Sequence, residues 1–249
     1  MITLGIDIGG SSTKGALVDT ATGELVSERV RIETEPFAKP KVIIEAISQI
    51  SKQLGYSGII GAGFPGLVKR NVAISAANMH KNWVGADVGQ MIKNKTGHPA
   101  IILNDADAAG LAEMRFGAEE AKKYNVVMFV TIGTGIGSAI FVNGALFPNT
   151  EFGHIKIRGK DAEHRASDAV RRIEKLTWKK WGARFSEVLN TYSFLMSPEL
   201  YILGGGLSQR FDLYAEYLKV DVPVVPAKLQ NLAGIVGAAM AAQEGLANA

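Results

Sequence analysis

Residues 2–19, ITLGIDIGGSSTKGALVD, set two apolar runs on either side of a cluster of glycine and hydroxyl residues. Runs of this length around small turn residues predict the two strands of a hairpin. ATGELVSERVRIE adds a turn at Thr22-Gly23 and a third strand. From Pro40 to Leu54 the period changes: Val42, Ile43, Ala46, Ile47 and Ile50 recur at helical spacing, and Gly55 supplies the stop. GIIGAGFPG predicts a buried strand closing in a Pro-Gly turn, and DVGQMIKNKTG a short helix with a glycine stop. PAIILNDAD predicts a strand whose end carries Asn104, Asp105 and Asp107, and AAGLAEMRFGA the start of a helix at Ala108.

The pattern then repeats. NVVMFVTIGTGIGSAIFVNGALF, residues 125–147, has the grammar of the opening stretch: an apolar strand holding one polar residue, a glycine loop, a second apolar strand and an Asp or Asn turn. Asp7 matches Thr131 and Asp19 matches Asn143, so the two segments superpose with an indel of about one residue. Near the end, PELYILGGGLSQRF predicts a strand, a triple-glycine turn and a helix start, and GIVGAAMAAQEGLA a small-residue helix able to pack closely. Alternating strands and helices in two similar halves give an α/β class with two lobes.

Composition narrows this only slightly. With 47% hydrophobic and 20% charged residues the chain has the balance of a folded soluble protein. It has no apolar run long enough to span a bilayer and no secretory leader pattern. The absence of cysteine removes disulfides, thiol nucleophiles and thiolate metal sites. A net charge of +3 suits an anionic substrate and falls short of a nucleic-acid-binding signature. Within it, residues 156–184 carry ten Lys/Arg against four acids. That run reads either as a solvated face or as a landing strip for a polyanion.

Three glycine loops, Gly9–Lys14, Gly133–Ser138 and Gly204–Ser208, could present backbone N–H groups to phosphate. None matches a dinucleotide-binding or P-loop pattern, and each alone could be a tight turn. Asp7 reads as a strand acid or as a Mg²⁺-orienting carboxylate acting through water. Lys14 reads as a phosphate counter-charge or as an exposed strand residue. Asn104-Asp105 reads as a turn or cap, or as the site of a general base that activates an alcohol. Glu151 and His154, three apart, suit a polyhydroxy substrate better than zinc, because no third ligand lies nearby in sequence.

GIDIGGSSTKGALVD, FPGLV, LNDADAAGLAE, TIGTGIGSAIFVNG, NTEFGH and LGGGLS resemble, in order, the motifs of ROK-family sugar kinases, within the actin–hexokinase superfold. NMHKNW, GKDAEHRAS, WKKW and PAKLQNLAGIVGAA bring the likeness closest to the branch of polyphosphate glucokinases and polyphosphate/ATP glucomannokinases. The resemblance implies two actin-like (ribonuclease H-like) lobes with a cleft between them. Residues 1–108 would form the smaller lobe, with helix 234–247 returning to it, and residues 109–233 the larger. It implies transfer of phosphate to O6 of glucose, or mannose, from polyphosphate and/or ATP with Mg²⁺.

By the same resemblance, Asp105 is the base. Asn104, Glu151, His154, the Gly63-Phe64-Pro65-Gly66 turn and Asn78 meet the sugar. Gly9, Gly10, Ser11, Ser12, Thr13 and Lys14 and Gly133, Thr134 and Gly135 flank the transferred phosphoryl group. Gly204, Gly205 and Gly206 lie near a nucleotide, and Asp7 orients the metal. The family's cysteine zinc motif is missing, so no zinc site is expected, and Glu163 is the stand-in for the glutamate which that motif supplies. A cytoplasmic homodimer binding neither nucleic acid nor membrane is implied. Other hexoses or N-acetylhexosamines, and a non-catalytic sugar binder, stay open as alternatives. Repressor members carry a helix-turn-helix before the first phosphate motif. A chain whose motif opens at residue 4 is expected to lack one.

Overall fold

The computed structural model describes residues 1–77 and 79–245. The chain separates into two compact units: Met1–Ala112 with the chain from Leu232, and Glu113–Asn231.

In the first unit, β1 (Ile2–Ile8) and β2 (Ser12–Asp19) form the expected antiparallel hairpin, with Asp7 opposite Lys14. The expected third strand is instead two short ones, β3 (Glu24–Leu25) and β4 (Val30–Glu33), both paired with β2. They part where Ser27 Oγ accepts the Leu17 N–H at 2.9 Å, a side chain replacing a ladder carbonyl. α1 (Pro40–Gln53) buries Ile43, Ile44, Ile47 and Ile50 and starts on Pro40, where a missing N–H costs nothing.

β5 (Ile60–Phe64) follows, then the ribbon β6 (Val68–Lys69) and β7 (Val72–Ala73), α2 (Val88–Thr96) and β8 (Ala100–Asn104). Asp87 caps α2 through the Gln90 N–H at 2.8 Å, and Gly97, at φ 81°, ends it. α3 (Asp105–Ala112) begins earlier than the apolar pattern predicts. The reason is Asn104, whose Oδ1 accepts the N–H groups of Ala106 (2.8 Å) and Asp107 (3.1 Å) and so caps the helix at the strand's last residue. The sheet runs β3-β2-β1-β5-β8, with β5 and β8 parallel to β1.

The second unit repeats this order. β9 (Val126–Ile132), β10 (Ile136–Val142) and β11 (Ala145–Phe147) form an antiparallel meander. Next come the ribbon β12 (Lys156–Ile157) and β13 (Lys160–Asp161), then α4 (Glu163–Ala166), α5 (Asp168–Ile173) and α6 (Trp178–Met196). β14 (Leu200–Gly204) and β15 (Val224–Pro226) add on in parallel, giving β11-β10-β9-β14-β15. The repeat read from sequence is thus a repeat of topology. After β14 the predicted helix is only a 3₁₀ stretch, Ser208–Leu213, broken by the non-helical Arg210. The core of this unit is aromatic, built around Trp181, Phe185, Tyr192 and Tyr214.

α7 (Ala233–Glu244) belongs to the first unit and lies on β1 and β5. Its backbone comes so close that a Cβ at Gly5 would overlap the Ile235 carbonyl, and one at Gly61 the Ala238 carbonyl. Gly237 meets Ala108 of α3 in the same way. The small-residue composition of this helix is therefore what lets two helices and a sheet pack backbone to backbone.

Candidate active site

In the first unit the chemistry collects at the carboxyl ends of the parallel strands, where open α/β sheets bind ligands. Asp105 follows β8 directly and is partly exposed; its Oδ1 accepts the Ala106 N–H at 2.8 Å. Asn104 is buried, and its Nδ2 donates to the Gly66 carbonyl at 3.1 Å. One amide thus caps α3 and fastens the Gly63–Gly66 turn, leaving a single Nδ2–H for a ligand. A Cβ at Gly63 would stand 3.5 Å from Asp105 Cα, so this turn and the acid are neighbours. Gly66 has φ 153°, and a Cβ there would press on the Ser75 carbonyl, so the turn requires glycine. Pro65 lies within it. Asn78 falls outside the described residues.

The first glycine loop joins β1 to β2, closed by the Gly9 N–H donating to the Ser12 carbonyl at 3.0 Å. Gly10 and Ser11 are exposed, whereas Ser12 is buried. Thr13 is wholly buried, one strand position from Lys14 and so on the opposite face of β2. Its side chain is therefore turned inward, and its Oγ1 has no hydrogen-bond partner within the described protein. Lys14 Nζ lies 2.9 Å from Asp7 Oδ2, so these two residues form an ion pair. Asp7 keeps an exposed edge, and Gly234 of α7 stands close beside its carboxylate, a Cβ there being in ordinary contact at 3.6 Å. A hard-oxygen carboxylate with an exposed edge fits a hydrated divalent cation.

In the second unit the Gly133 N–H donates to the Gly135 carbonyl at 3.0 Å, and the Gly137 N–H to Thr131 Oγ1 at 3.1 Å. Thr134 is exposed at the tip. The third loop is its neighbour, since Gly204 pairs with Thr131 across β14 and β9. Gly205, at φ 74°, presses against Ile132, and Ser208 Oγ bonds its carbonyl at 2.8 Å. Gly205 and Gly206 are exposed.

Glu151 and His154 flank a single 3₁₀ turn, Phe152–His154. Gly153 lies so close to Ile136 that a Cβ would overlap its carbonyl, which seats the turn beside the second loop. Ser138 and Thr150 exchange side-chain bonds to each other's carbonyls, at 3.0 and 2.8 Å, and Tyr192 OH holds the Phe152 carbonyl at 2.9 Å. Burial raises the Glu151 carboxyl above the ordinary carboxylate range; His154 offsets this in part and Glu163 adds to it.

His154 does not stand alone. Asp161 and Glu163 return to it from the β12–β13 ribbon and α4, at 3.5 and 3.8 Å from Nδ1. Donor atoms of His154, Asp161 and Glu163 lie within 4.8 Å of one another, so His154 groups with two carboxylates that sequence spacing did not show, and Glu151 is not part of that group. The missing cysteines therefore remove a thiolate site and leave a His-carboxylate trio. Lys156 occupies Asp161 as an ion pair. Glu163 also accepts the Ile136 N–H at 3.4 Å and fills the space a side chain at Gly135 would need.

Glu113 was not singled out by its sequence pattern. Fully buried in the π-turn Glu113–Gly117, it accepts the N–H groups of Lys228 (3.0 Å) and Leu229 (2.7 Å). The only hint in the sequence is an acid among the small residues of LNDADAAGLAE.

The ROK family model matches residues 3–167. The polyphosphate glucokinase of Mycobacterium tuberculosis is 44% identical over 238 residues, covering 95% of this chain and 89% of that one. The crystal structure of the inorganic polyphosphate/ATP-glucomannokinase of Arthrobacter sp. strain KM superposes with a TM-score of 0.93 at 41% identity, over 98% and 99% of the two chains. A ROK glucokinase from Streptomyces griseus, 23% identical over 98% of this chain and 100% of its own, shares the fold at a TM-score of 0.85. The family model covers well over half of the chain, and the chain belongs to the ROK family.

Proposed function

We propose that the chain phosphorylates glucose, or mannose, at O6, taking the phosphoryl group from inorganic polyphosphate and/or ATP. The observation that carries this reading is Asp105: a partly exposed carboxylate at a parallel strand end, its backbone fixed by the Asn104 cap beside the Gly63–Gly66 turn. Such a group is held where it can accept a proton without reorganising first.

Asp105 takes the proton of the sugar's 6-hydroxyl as the O6–P bond forms and the donor's bridging P–O bond breaks. The leaving chain departs one phosphate shorter, or as ADP. Glu151, His154 and the spare Nδ2–H of Asn104 hold other sugar hydroxyls, and Glu163 completes the set. Backbone N–H groups of Gly10 and Ser11 in the first loop and of Thr134 and Gly135 in the second, with the Lys14 ammonium, face the phosphoryl oxygens. Phosphoryl donors of this kind are handled as divalent-metal complexes, and Asp7 is the residue fitted to hold Mg²⁺ through water; the ion would neutralise phosphate charge. Gly204–Gly206 serve the nucleotide when ATP is the donor. We further propose a homodimer located in the cytoplasm; among the described residues no helix is long and apolar enough to cross a membrane.

Purified protein with Mg²⁺, glucose and either donor should yield glucose 6-phosphate, read in a coupled assay. Product from ATP alone removes polyphosphate as donor, and product from neither removes the kinase reading in favour of a sugar binder. A panel of hexoses and N-acetylhexosamines fixes the acceptor. Asp105→Asn should lower kcat by about a thousandfold with an unchanged melting temperature.

A further inference from the structure

Four of the ten cations in the basic run between residues 156 and 184 are taken up by acids outside α5. Arg158 and Arg165 share Glu187, Lys156 pairs with Asp161, and Arg184 takes Glu174 at 2.7 Å. Apart from Lys160 on β13, the rest lie on α5, on the chain after it and on the first turn of α6. The Ala169 N–H in its first turn donates to the Gly133 carbonyl at 3.2 Å, which pins this helix to the second glycine loop. Asp168 grips two guanidinium groups, Arg171 Nε at 2.8 Å and Arg172 Nε at 3.1 Å. Arg171 is nearly buried, its guanidinium 4.1 Å over the Trp178 ring. Arg172 is 61% exposed, and only its Nε is engaged. The chain then turns through Lys175, at φ 50°, toward Lys179 and Lys180. Among the described residues these three lysines have no acidic partner.

Resting on the kinase reading above, we propose that Arg172 and Lys175 bind the part of a polyphosphate chain lying beyond the phosphoryl group held by Gly133–Gly135. Arg172 stands three residues, about 4.5 Å of helical rise, from the bond that ties α5 to that loop. Its orientation is set in advance by Asp168, so little side-chain freedom is lost when its terminal amines meet phosphate oxygens. The surface favours a bare polyanion over a nucleotide. Arg171 lies over the Trp178 ring and Tyr214 stacks on it with centroids 5.9 Å apart, so this aromatic side chain is engaged by its own neighbours. Arg172, Lys175 and Lys179 instead present charge at intervals along one stretch of chain, the arrangement a ligand with regularly repeating charge requires.

The test compares the Arg172→Gln/Lys175→Gln double variant with the parent protein. KM for long-chain polyphosphate should rise about tenfold and lose most of its salt dependence. The KM values for ATP and glucose, and kcat with ATP, should stay within about twofold. Arg172→Lys/Lys175→Arg should restore most of the affinity. An unchanged polyphosphate KM, or an equal rise for ATP, overturns the proposal. Direct titration with long-chain polyphosphate, without sugar, tests binding apart from turnover. Parent protein that binds the polymer without turning it over leaves this site standing while the donor assignment fails, and equal binding by parent and variant removes the site.

Discussion

The two units carry the same hairpin with opposite chemistry at its lip. In the first, Asp7 stands opposite Lys14 and the two form an ion pair. At the matching place in the second, Thr131 stands opposite Gly137 and the contact is a neutral hydrogen bond. The sheets differ the same way beneath. Gly5 pairs with Gly61 in the first unit so that α7 can lie on them, whereas the matching pair in the second is Phe129 and Ile202, both buried. One duplicated frame has thus been specialised twice. The first unit carries a charged pair at its lip, which the proposed function assigns to a metal-phosphate complex, and trades side chains for a helix contact. The second offers a neutral backbone loop, and the cations proposed to serve it, Arg172 and Lys175, stand on and just after α5.

The sharpest break in this comparison is to remove charge from each lip in turn. Asp7→Asn should lower kcat with either donor by about a hundredfold and weaken the dependence on Mg²⁺, since a carboxylate is lost where the cation is to be held. Thr131→Val removes one hydrogen bond, worth about 1 kcal/mol of stability, and should change kcat by less than about tenfold. Steady-state kinetics across a Mg²⁺ titration decides it. Equal losses in the two variants would mean that the charged lip has no special task.

The sheet contrast is tested through stability. Gly61→Ala drives a Cβ into the Ala238 carbonyl, where backbone has to move, and should cost about 3 kcal/mol. Ile202→Val, at the matching position, only removes a methylene and should cost about 1 kcal/mol. Urea denaturation of both variants measures the difference, and a tolerated Gly61→Ala would show that α7 does not depend on this close approach.

The acids of the two units also differ. Asp7 is answered by a lysine, whereas Glu113 is fully buried and answered by backbone N–H groups. Burial raises the Glu113 carboxyl above its ordinary value, the N–H groups of Lys228, Leu229 and Gln230 offsetting this in part. With the native value above the unfolded one, the native state holds more protons between the two, so this group's contribution falls as pH rises through that window. Glu113→Gln sets an amide donor against a backbone donor and should cost about 1–2 kcal/mol at the acid end of the window. The gap to the parent should narrow as pH rises. Melting curves across pH measure it, and a gap that widens would show that the hydrogen bonds outweigh burial.

Much of the frame was legible in the sequence because it depends on local signals. Alternating apolar runs, Pro40 and Gly97 mark strands and helices through short-range geometry. The echo of Asp7 in Thr131 revealed the duplication before any contact was known. The features missed depend on partners distant in sequence. The break between β3 and β4 needs Ser27 to find Leu17. The burial of Thr13 follows from which face of β2 meets the core. His154 gains Asp161 and Glu163 only when the ribbon folds back, and Glu113 meets Lys228 across more than a hundred positions of chain. A linear reading sees spacing, and these contacts have none.

The smallest structural change gives the cleanest reading of the second loop. A Cβ at Gly133 would have nothing within 4 Å, and its φ does not lie in the left-handed region, so Gly133→Ala should alter stability by less than about 0.5 kcal/mol. A tight-turn role would leave activity untouched as well. If the loop is a phosphate cradle, the space beside Gly133 is where phosphoryl oxygens approach the backbone, and a methyl group there keeps them away. KM for polyphosphate and for ATP should then rise together, by about tenfold, with KM for glucose unchanged. Gly144→Ala, at φ 77° in the β10–β11 turn, serves as the contrast: there the cost falls on stability through the strained backbone, and donor kinetics should not move. Unchanged donor kinetics for Gly133→Ala would return the second loop to an ordinary hairpin turn and leave the first unit as the sole place where phosphate meets backbone.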